Sequence, residues 1–375
     1  MKPFHITKAS VVIALQLLVL SFLTLSLGFK SREAASETYF LSEQEAEPDG
    51  PPGEEKKKDF IRWVDFTIPA EVMEKAFRLD INTCQAQVRL DWIELLAFLG
   101  ARYGGDFSRF RQADLDSLAE ALKNGASIEE LTSGMKYYSY YKEAYGAVLG
   151  GMVGYFEQET APKETAAEGA GSGAPAAPSG AWVTKYGLKA FSPIARDFPY
   201  SDYDDFGASR SYGYKRRHLG HDMMGQVGTP IIAVESGTVE ALGWNQYGGW
   251  RIGIRSFDKK RYYYYAHLRK NYPYQSCLSE GSVVTAGDVI GYLGRTGYSA
   301  TENTNNIDTP HLHFGLQLIF DESQKEGNNE IWIDCYELVK FLRMNQSQVA
   351  KVEGTKEWER VYDQREPEEG RTVDE

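Results

Sequence analysis

Cysteine is scarce in this sequence. The 375 residues include only three, Cys84, Cys277 and Cys335, and none of them belongs to a C-x-x-C pair. So few scattered thiols exclude a disulfide framework and a zinc site built on cysteine. A single Cys277–Cys335 bridge stays open on the spacing, although we expect buried free thiols instead.

A surplus of basic charge is also absent. The formal net charge is -12 at pH 7, so the chain lacks the positive charge that would neutralise phosphates, and we exclude nucleic acid as a partner. With 42% hydrophobic and 25% charged residues, the composition is typical of a globular rather than a disordered protein. The length suits about two domains. None of these properties identifies a protein partner.

One long uncharged run stands near the N-terminus, from Ala9 to Phe29. As a helix it is long enough to cross a hydrocarbon core of about 30 Å. A cleaved signal peptide is the alternative, but its apolar region is ordinarily shorter and ends at a small-residue cleavage site. We therefore expect a transmembrane anchor at 9–29, with residues 1–8 in the cytoplasm. The bulk of the chain then lies outside the cell membrane, beginning with an acidic spacer at 30–59.

Residues 60–156 carry helical patterns. Apolar residues repeat at i, i+4 and i+7 in "IPAEVMEKAFRLD", and "SIEEL" offers a capping box of Ser127 with Glu130. We predict an α-helical domain here, followed by a linker rich in alanine, glycine and proline at 157–181. A glycosidase function for this domain would need a pair of catalytic carboxylates. No such pair stands out, so a spacing, oligomerisation or regulatory module is preferred.

Short β-type runs separated by glycine turns dominate residues 182–348, as in "GTVEALGW", "RYYYYAHL" and "HLHFGLQLIF". Runs of this length and spacing predict an all-β antiparallel barrel or sandwich with short helices appended. The charged tail at 349–375 is expected to be disordered. The predicted fold is thus multidomain, with a transmembrane helix, an α-helical domain and a C-terminal all-β domain.

Histidines cluster in the β domain. In a strand, His311 and His313 of "HLHF" point to the same face. His218 and Asp222 are four residues apart, with a glycine between them that lets the backbone turn. A catalytic zinc site uses three protein ligands and keeps one position for water. The pair His218 and Asp222, completed by one histidine of "HLHF", would form such a site.

A further histidine, His267, ends the strand "YYYYAHL". Imidazoles that do not bind the metal can carry out acid–base work beside it and stabilise an oxyanion. Three histidine motifs in one β domain therefore indicate a metal-dependent hydrolytic site rather than scattered surface histidines.

These motifs resemble the lysostaphin/LytM-type zinc endopeptidases, which cut peptidoglycan peptides. The resemblance runs from about Val183 to Leu342. It rests on "HLGHDMMGQVGTPIIAVESGTV", "YAHL" and "HLHFGL", and on the glycine-rich "GDVIGYLGRTG". Two segments depart from the family pattern, "YSATENTNNIDTP" before the third motif and "DESQKEGNNE" after it. Both are expected to border the substrate groove, so the substrate preference of relatives is not carried over.

Residue by residue, the resemblance implies that zinc is bound by His218, Asp222 and His313. It also implies that His267 and His311 are catalytic histidines that do not bind the metal. His221 has no counterpart in the family pattern, and we expect it to be a surface residue beside the groove.

The function implied is that of a membrane-anchored zinc endopeptidase acting on the peptide portion of bacterial peptidoglycan. The bond cut, D-Ala to a diamino acid or within a glycine-rich bridge, stays open. The alternative is a catalytically silent scaffold or regulator that binds peptidoglycan or a partner protein. All five functional positions hold the expected residue types, which favours the enzyme.

Overall fold

The computed structural model describes residues 60–161, 181–211, 215–327 and 329–367. The predicted anchor at 9–29, its flanking segments and most of the predicted linker lie outside the described residues. Within the described ranges, no helix combines the length and the apolar character needed to cross a membrane.

Five α-helices lie within the region 60–156 that the sequence predicts to be helical, but from Val153 onwards the end of this region forms a β-strand instead. The helix that begins at Trp92 is capped by Asp91, whose side chain accepts hydrogen bonds from the amides of Ile93 and Glu94. The predicted capping box of Ser127 and Glu130 is confirmed. The helices, with α6 standing in the C-terminal part, are α1 Ala70–Thr83, α2 Trp92–Tyr103, α3 Gln112–Lys123, α4 Ile128–Thr132, α5 Tyr138–Leu149 and α6 Tyr336–Leu342.

The C-terminal part is built from short strands. In chain order they are β1 Val153–Glu159, β2 Trp182–Leu188, β3 Ser201–Asp202, β4 Ser209–Ser211, β5 Lys215–Arg217, β6 His221–Met224, β7 Pro230–Ile232, β8 Gly237–Asn245, β9 Gly249–Ser256, β10 Arg261–Ala266, β11 Val283–Val284, β12 Val289–Tyr292, β13 His311–Leu318, β14 Ile331–Ile333, β15 Val349–Lys351, β16 Trp358–Arg360 and β17 Gln364–Arg365.

The main sheet has eight strands, in the order β11-β8-β9-β10-β13-β6-β3, with β14 also paired to β13. Neighbouring strands run antiparallel. On β13, Leu312, Phe314 and Leu316 are fully buried against the core. The alternate residues His311 and His313 therefore face the other side of the sheet. The prediction of an antiparallel all-β domain is confirmed.

The helical part packs directly on the sheet part. Residues 59–375 form one compact unit, and Phe341 of α6 stacks on Trp92 of α2 at a ring-centroid distance of 5.6 Å. The fully buried guanidinium of Arg261 donates to the carbonyl of Ala147, at the end of α5, over 2.8 Å. The domain boundaries drawn from the sequence stay a prediction.

Two C-terminal features differ from expectation. β1 pairs with β2 over their whole length. The predicted linker at 157–181 therefore begins inside a strand, since 157–159 belong to β1, and its remainder joins neighbouring strands of a three-stranded sheet. The described part of the tail, 349–367, is ordered rather than disordered. β15 pairs with β16, and β17 pairs with β1. The reason is a buried anchor, since the Arg360 guanidinium donates to the carbonyls of Ala286 and Gln364.

The cysteines carry no disulfide. Cys84, Cys277 and Cys335 are all free, as expected. Only Cys335 is buried, however, while Cys277 is exposed.

Candidate metal centre and active site

Three predicted ligands meet at the junction of β6 and β13. Asp222 on β6 lies opposite His313 on β13 in the antiparallel register. His218, just before β6, joins them from the side. His218 Nε2 is 3.0 Å from Asp222 Oδ1 and 3.1 Å from His313 Nδ1. His313 Nδ1 is 2.9 Å from Asp222 Oδ1. The structure thus brings together three residues that are up to 95 positions apart in the chain.

This donor set fits zinc. Two imidazole nitrogens and one carboxylate oxygen are ordinary zinc ligands, bound at about 2.0 Å, which puts tetrahedral ligand atoms about 3.3 Å apart. The observed separations of the three donor atoms are close to that spacing. The set supplies three ligands, which is the number that a catalytic zinc site takes from the protein.

Gly220 makes room for the third ligand. A Cβ atom at this position would lie 2.5 Å from two atoms of the His313 ring. Glycine is therefore needed between His218 and Asp222 for close approach to His313, and not only for a turn of the backbone as the sequence suggested.

The protonation states of the three side chains suit the binding of a metal ion. Burial favours the protonated form of Asp222, but hydrogen bonds from His218 and His313 outweigh burial and hold its carboxyl pKa well below the ordinary value. In His313 burial disfavours the charged imidazolium and lowers its pKa. In His218 the neighbouring Asp222 carboxylate outweighs burial, so that its pKa is raised. The cluster thus offers an anionic oxygen beside imidazole nitrogens.

Asp205 and Arg210 form an outer layer that sequence reasoning missed. Asp205 Oδ1 lies 3.0 Å from His218 Nδ1, on the opposite side of the ring from the donor atoms. Arg210 Nη2 donates to Asp222 Oδ2 over 3.0 Å and also contacts Asp205. A carboxylate on the outer nitrogen of a ligating histidine is common in metal sites. The acidic stretch before His218 was the available signal.

His267 and His311 lie beside the cluster. Their ring centroids are 4.8 Å apart, and that of His267 is 5.9 Å from His313. His267 Nδ1 is 2.9 Å from the Thr296 carbonyl, and His311 Nδ1 is 2.8 Å from that of Thr309. Because a carbonyl only accepts, each Nδ1 carries the hydrogen, and each Nε2 is left available to a reacting group.

The backbone of His267 adopts a conformation that is uncommon for a side-chain-bearing residue. Its φ is 62°, in the left-handed region that favours glycine. The His267 amide donates to the Gly248 carbonyl over 2.7 Å, which holds the turn. Burial lowers the pKa of the His267 imidazole well below its ordinary value.

The expectation that His221 is a surface residue is wrong. His221 is only 2% exposed, and its Nε2 lies 3.0 Å from Asp202 Oδ2. Alternation along β6 explains the difference, because the neighbour of Asp222 must face the opposite side of the sheet. Arg343 of the region after α6 holds the same Asp202 carboxylate with two contacts of 2.7 and 2.6 Å.

Aromatic side chains in or next to the two unusual segments flank the histidines. Tyr298, at the start of the first segment, has its ring centroid 5.7 Å from that of His267. The ring centroid of Trp332, just after the second segment, is 6.2 Å from that of Tyr264. The Tyr264 centroid is in turn 6.0 Å from that of His313. A Cβ on Gly315 would lie 2.7 Å from Trp332, so this glycine admits the indole. The first segment thus contributes Tyr298 to the walls around the cluster, and β14, which follows the second segment, contributes Trp332.

Residues 216–327 match the model of Peptidase family M23. This range contains all five predicted site residues. This segment is an M23 peptidase domain. Zinc is the metal on which peptidases of this family depend, in agreement with the donor set of His218, Asp222 and His313.

Named relatives match the M23 domain over part of their length. An L-Ala–D-Glu endopeptidase of Bacillus subtilis is 37% identical over 124 residues, which is 33% of this chain and 36% of the relative. A glycyl-glycine endopeptidase of Staphylococcus capitis is 38% identical over 98 residues, 26% of this chain and 24% of the relative. The match therefore spans about a third or less of each of these relatives.

A solved structure of the catalytic domain of lysostaphin from Staphylococcus simulans is also similar. It shares 31% sequence identity and covers 38% of this chain and 92% of that chain, with a TM-score of 0.29.

Proposed function

We propose that the protein is a membrane-anchored zinc endopeptidase that hydrolyses peptide links of bacterial peptidoglycan. The observation that carries this proposal is the convergence of His218, Asp222 and His313, with His267 and His311 beside them. The activities of the two relatives, an L-Ala–D-Glu endopeptidase and a glycyl-glycine endopeptidase, support a peptide bond of the cell wall as the target. They differ in the bond, so the bond itself is left open.

His218, Asp222 and His313 would hold the metal. When bound in such a site, zinc lowers the pKa of a coordinated water and polarises the carbonyl of the bond to be cut. The outer contacts of Asp205 and Arg210 keep the ligand atoms turned towards one point.

The two remaining histidines would handle protons. In each, the carbonyl-bound Nδ1 fixes the tautomer, which leaves Nε2 as the reactive atom. One of His267 and His311 takes the proton of the attacking water. The other, when protonated so that Nε2 also carries a hydrogen, donates a hydrogen bond to the carbonyl oxygen as negative charge develops on it.

The anchor at 9–29 would keep this activity at the outer face of the cell membrane. Its support is the uncharged run with flanking lysines, which is long enough to span a bilayer. A helical part packed on the M23 domain suits a module that positions or regulates the peptidase.

The enzyme is tested with two histidine variants and purified cell walls of several types. We expect the wild type to release new amino groups from at least one wall type. His218→Ala should lose both zinc and cleavage, because a ligand is removed. His267→Ala should keep zinc but cleave about 100- to 10,000-fold more slowly, which is the size of a general acid–base contribution.

Asp204→Ala, at an exposed carboxylate close to the same site, is the matched control and should cleave like the wild type. Absence of new amino groups from every wall type would refute the enzyme and leave the scaffold. Full activity of His267→Ala would instead refute the catalytic role of His267.

A further inference from the structure

Arg251 of β9 lies in the same cross-strand row as two of the metal-site residues. Tyr265 of β10 pairs with Ile252, and Ala266 of β10 pairs with His313, so Ala266 stands between Arg251 and His313. His313 pairs in turn with Asp222. Adjacent strands are about 4.8 Å apart, so the Arg251 backbone is about 10 Å from that of His313.

Arg251 also faces the same side of the sheet as the metal cluster. Ile252 and Ile254 of β9 are buried in the core, as Leu312 and Phe314 of β13 are. By alternation, Arg251 therefore shares the opposite face with His313.

The surface between Arg251 and His313 carries Ala266 and the ring of Tyr264, whose centroid is 6.0 Å from that of His313. Ala266 occupies the intervening strand, and Gly253 comes next on the face of β9. A Cβ on Gly253 would come within 1.9 Å of the Tyr262 hydroxyl, so this hydroxyl lies directly over the glycine. The Arg251 guanidinium lies near the same hydroxyl and opposes the effect of burial, which raises the pKa of Tyr262. A guanidinium and a phenol thus meet on the face that leads to the metal site.

The charge of Arg251 is not balanced by the protein, unlike that of its neighbour on the same face. Arg255 lies 2.8 Å from a Glu322 oxygen and 3.7 Å from a Glu240 oxygen. Among the described residues, no carboxylate forms an ion pair with Arg251, and its Nε is shielded from solvent without a hydrogen-bond partner. Arg251 as a whole is only half-buried, and its terminal guanidinium nitrogens, rather than the shielded Nε, are the donors that a ligand can reach.

We propose that Arg251, with the Tyr262 hydroxyl, binds a free carboxylate of the substrate. Arginine recognises carboxylates through paired N–H donors. At about 3.5 Å per extended residue, a span of about 10 Å puts that carboxylate within about three residues of the bond that is cut. The substrate class is therefore a peptide with free carboxyl groups, such as a stem peptide, and not an uncharged glycine bridge. This inference rests on the proposed function.

The test uses the full chain and two stem peptides that differ only in having free or amidated carboxyl groups. We expect wild-type kcat/KM to be about 10- to 100-fold higher for the free form, the range of a hydrogen-bonded charge. Arg251→Gln should bring this ratio close to one, and Arg251→Lys should restore part of it. Arg255→Gln, on the same face but already paired, should keep the wild-type ratio.

Equal cleavage of both peptides by the wild type would overturn the carboxylate site, whatever the variants do. So would an unchanged ratio in Arg251→Gln. Because the wild-type ratio is itself decisive, a variant that fails to fold does not remove the test.

Calorimetric binding of both peptides to His267→Ala separates this inference from the proposed function. Tighter binding of the free form, with no cleavage by the wild type, would refute the peptidase but support the carboxylate site. Cleavage without any preference would refute only the carboxylate site. Neither cleavage nor a difference in binding would refute both.

Discussion

Asp205 and Arg210 show how residues that do not bind the metal set its ligands. Asp205 accepts from the outer nitrogen of His218, and Arg210 occupies the second oxygen of Asp222. One oxygen of Asp222 is thereby left for the cluster, and the His218 ring cannot rotate without losing a hydrogen bond.

Replacing Asp205 by alanine should therefore weaken zinc binding by about 10- to 100-fold, the usual effect of removing such a partner. Asp205→Asn keeps an acceptor oxygen for His218 and should lose less. Zinc affinity is measured by competition with a coloured chelator. Asp204→Ala is the control, and a zinc affinity of Asp205→Ala equal to that of the control would contradict the role.

The metal ligands could be predicted because His218 and Asp222 are only four residues apart and His313 belongs to a strand pattern. The resemblance of the motifs to a known family completed the set. The role of Asp205 could not be predicted, because its contact with His218 depends on how the loop that carries Asp205 folds back. His221 was wrongly expected at the surface, although its direction follows from strand alternation once β6 is known to include it. The unpaired state of Arg251 is visible only when all neighbouring carboxylates are in place.

At the scale of elements, α6 joins the helical part to the sheet part. Phe341 is 1% exposed, with its ring stacked on Trp92 and edge-on to Phe77 at 5.8 Å. A short helix of this kind has little stability alone, so its position depends on this aromatic contact.

Phe341→Ala should lower the free energy of unfolding by about 3–5 kcal/mol, because it removes a fully buried ring and leaves a cavity. Urea denaturation followed by tryptophan fluorescence measures the change. Met344→Ala, two residues after α6 and at a side chain that is 43% exposed, should change it by less than about 0.5 kcal/mol. Similar losses in both variants would argue against a special role for the ring.

Elements with a strong pattern could be predicted from the sequence. "HLHFGLQLIF" predicted a strand and contains β13. The strands of the tail were missed because they are two or three residues long and polar. β17 exists only through its pairing with β1, about 200 positions earlier, for which no local pattern exists.

For the whole molecule, the sequence pattern suggested two domains and a linker, whereas contacts cross between the two parts at several points. Ala70 donates its amide to Glu337 Oε2 over 2.7 Å. Arg261 spans from Glu235, at 2.7 Å, to the last turn of α5. Composition marks the low-complexity stretch well, but it carries no information on which surfaces pack together.

A chain that begins at residue 182 is therefore expected to unfold at a lower temperature than one that begins at residue 60. It lacks β1, the central strand between β2 and β17. It also exposes Phe341 and leaves one Arg261 donor without the Ala147 carbonyl. Losing a buried acceptor alone costs about 1–3 kcal/mol. Calorimetric scans of both chains, each loaded with zinc, measure the two midpoints.

The chain from residue 60 is the matched control, because it removes only residues outside the described ranges. A midpoint lower by several degrees for the chain from 182 would mean that the helical part is integral to the peptidase, since about 1 kcal/mol shifts the midpoint of a unit of 150–250 residues by about 2–4 °C. Equal midpoints would instead show that residues 182–348 fold independently, as the linker composition indicates. In that case the contacts of Trp92 and Ala147 would serve docking rather than folding.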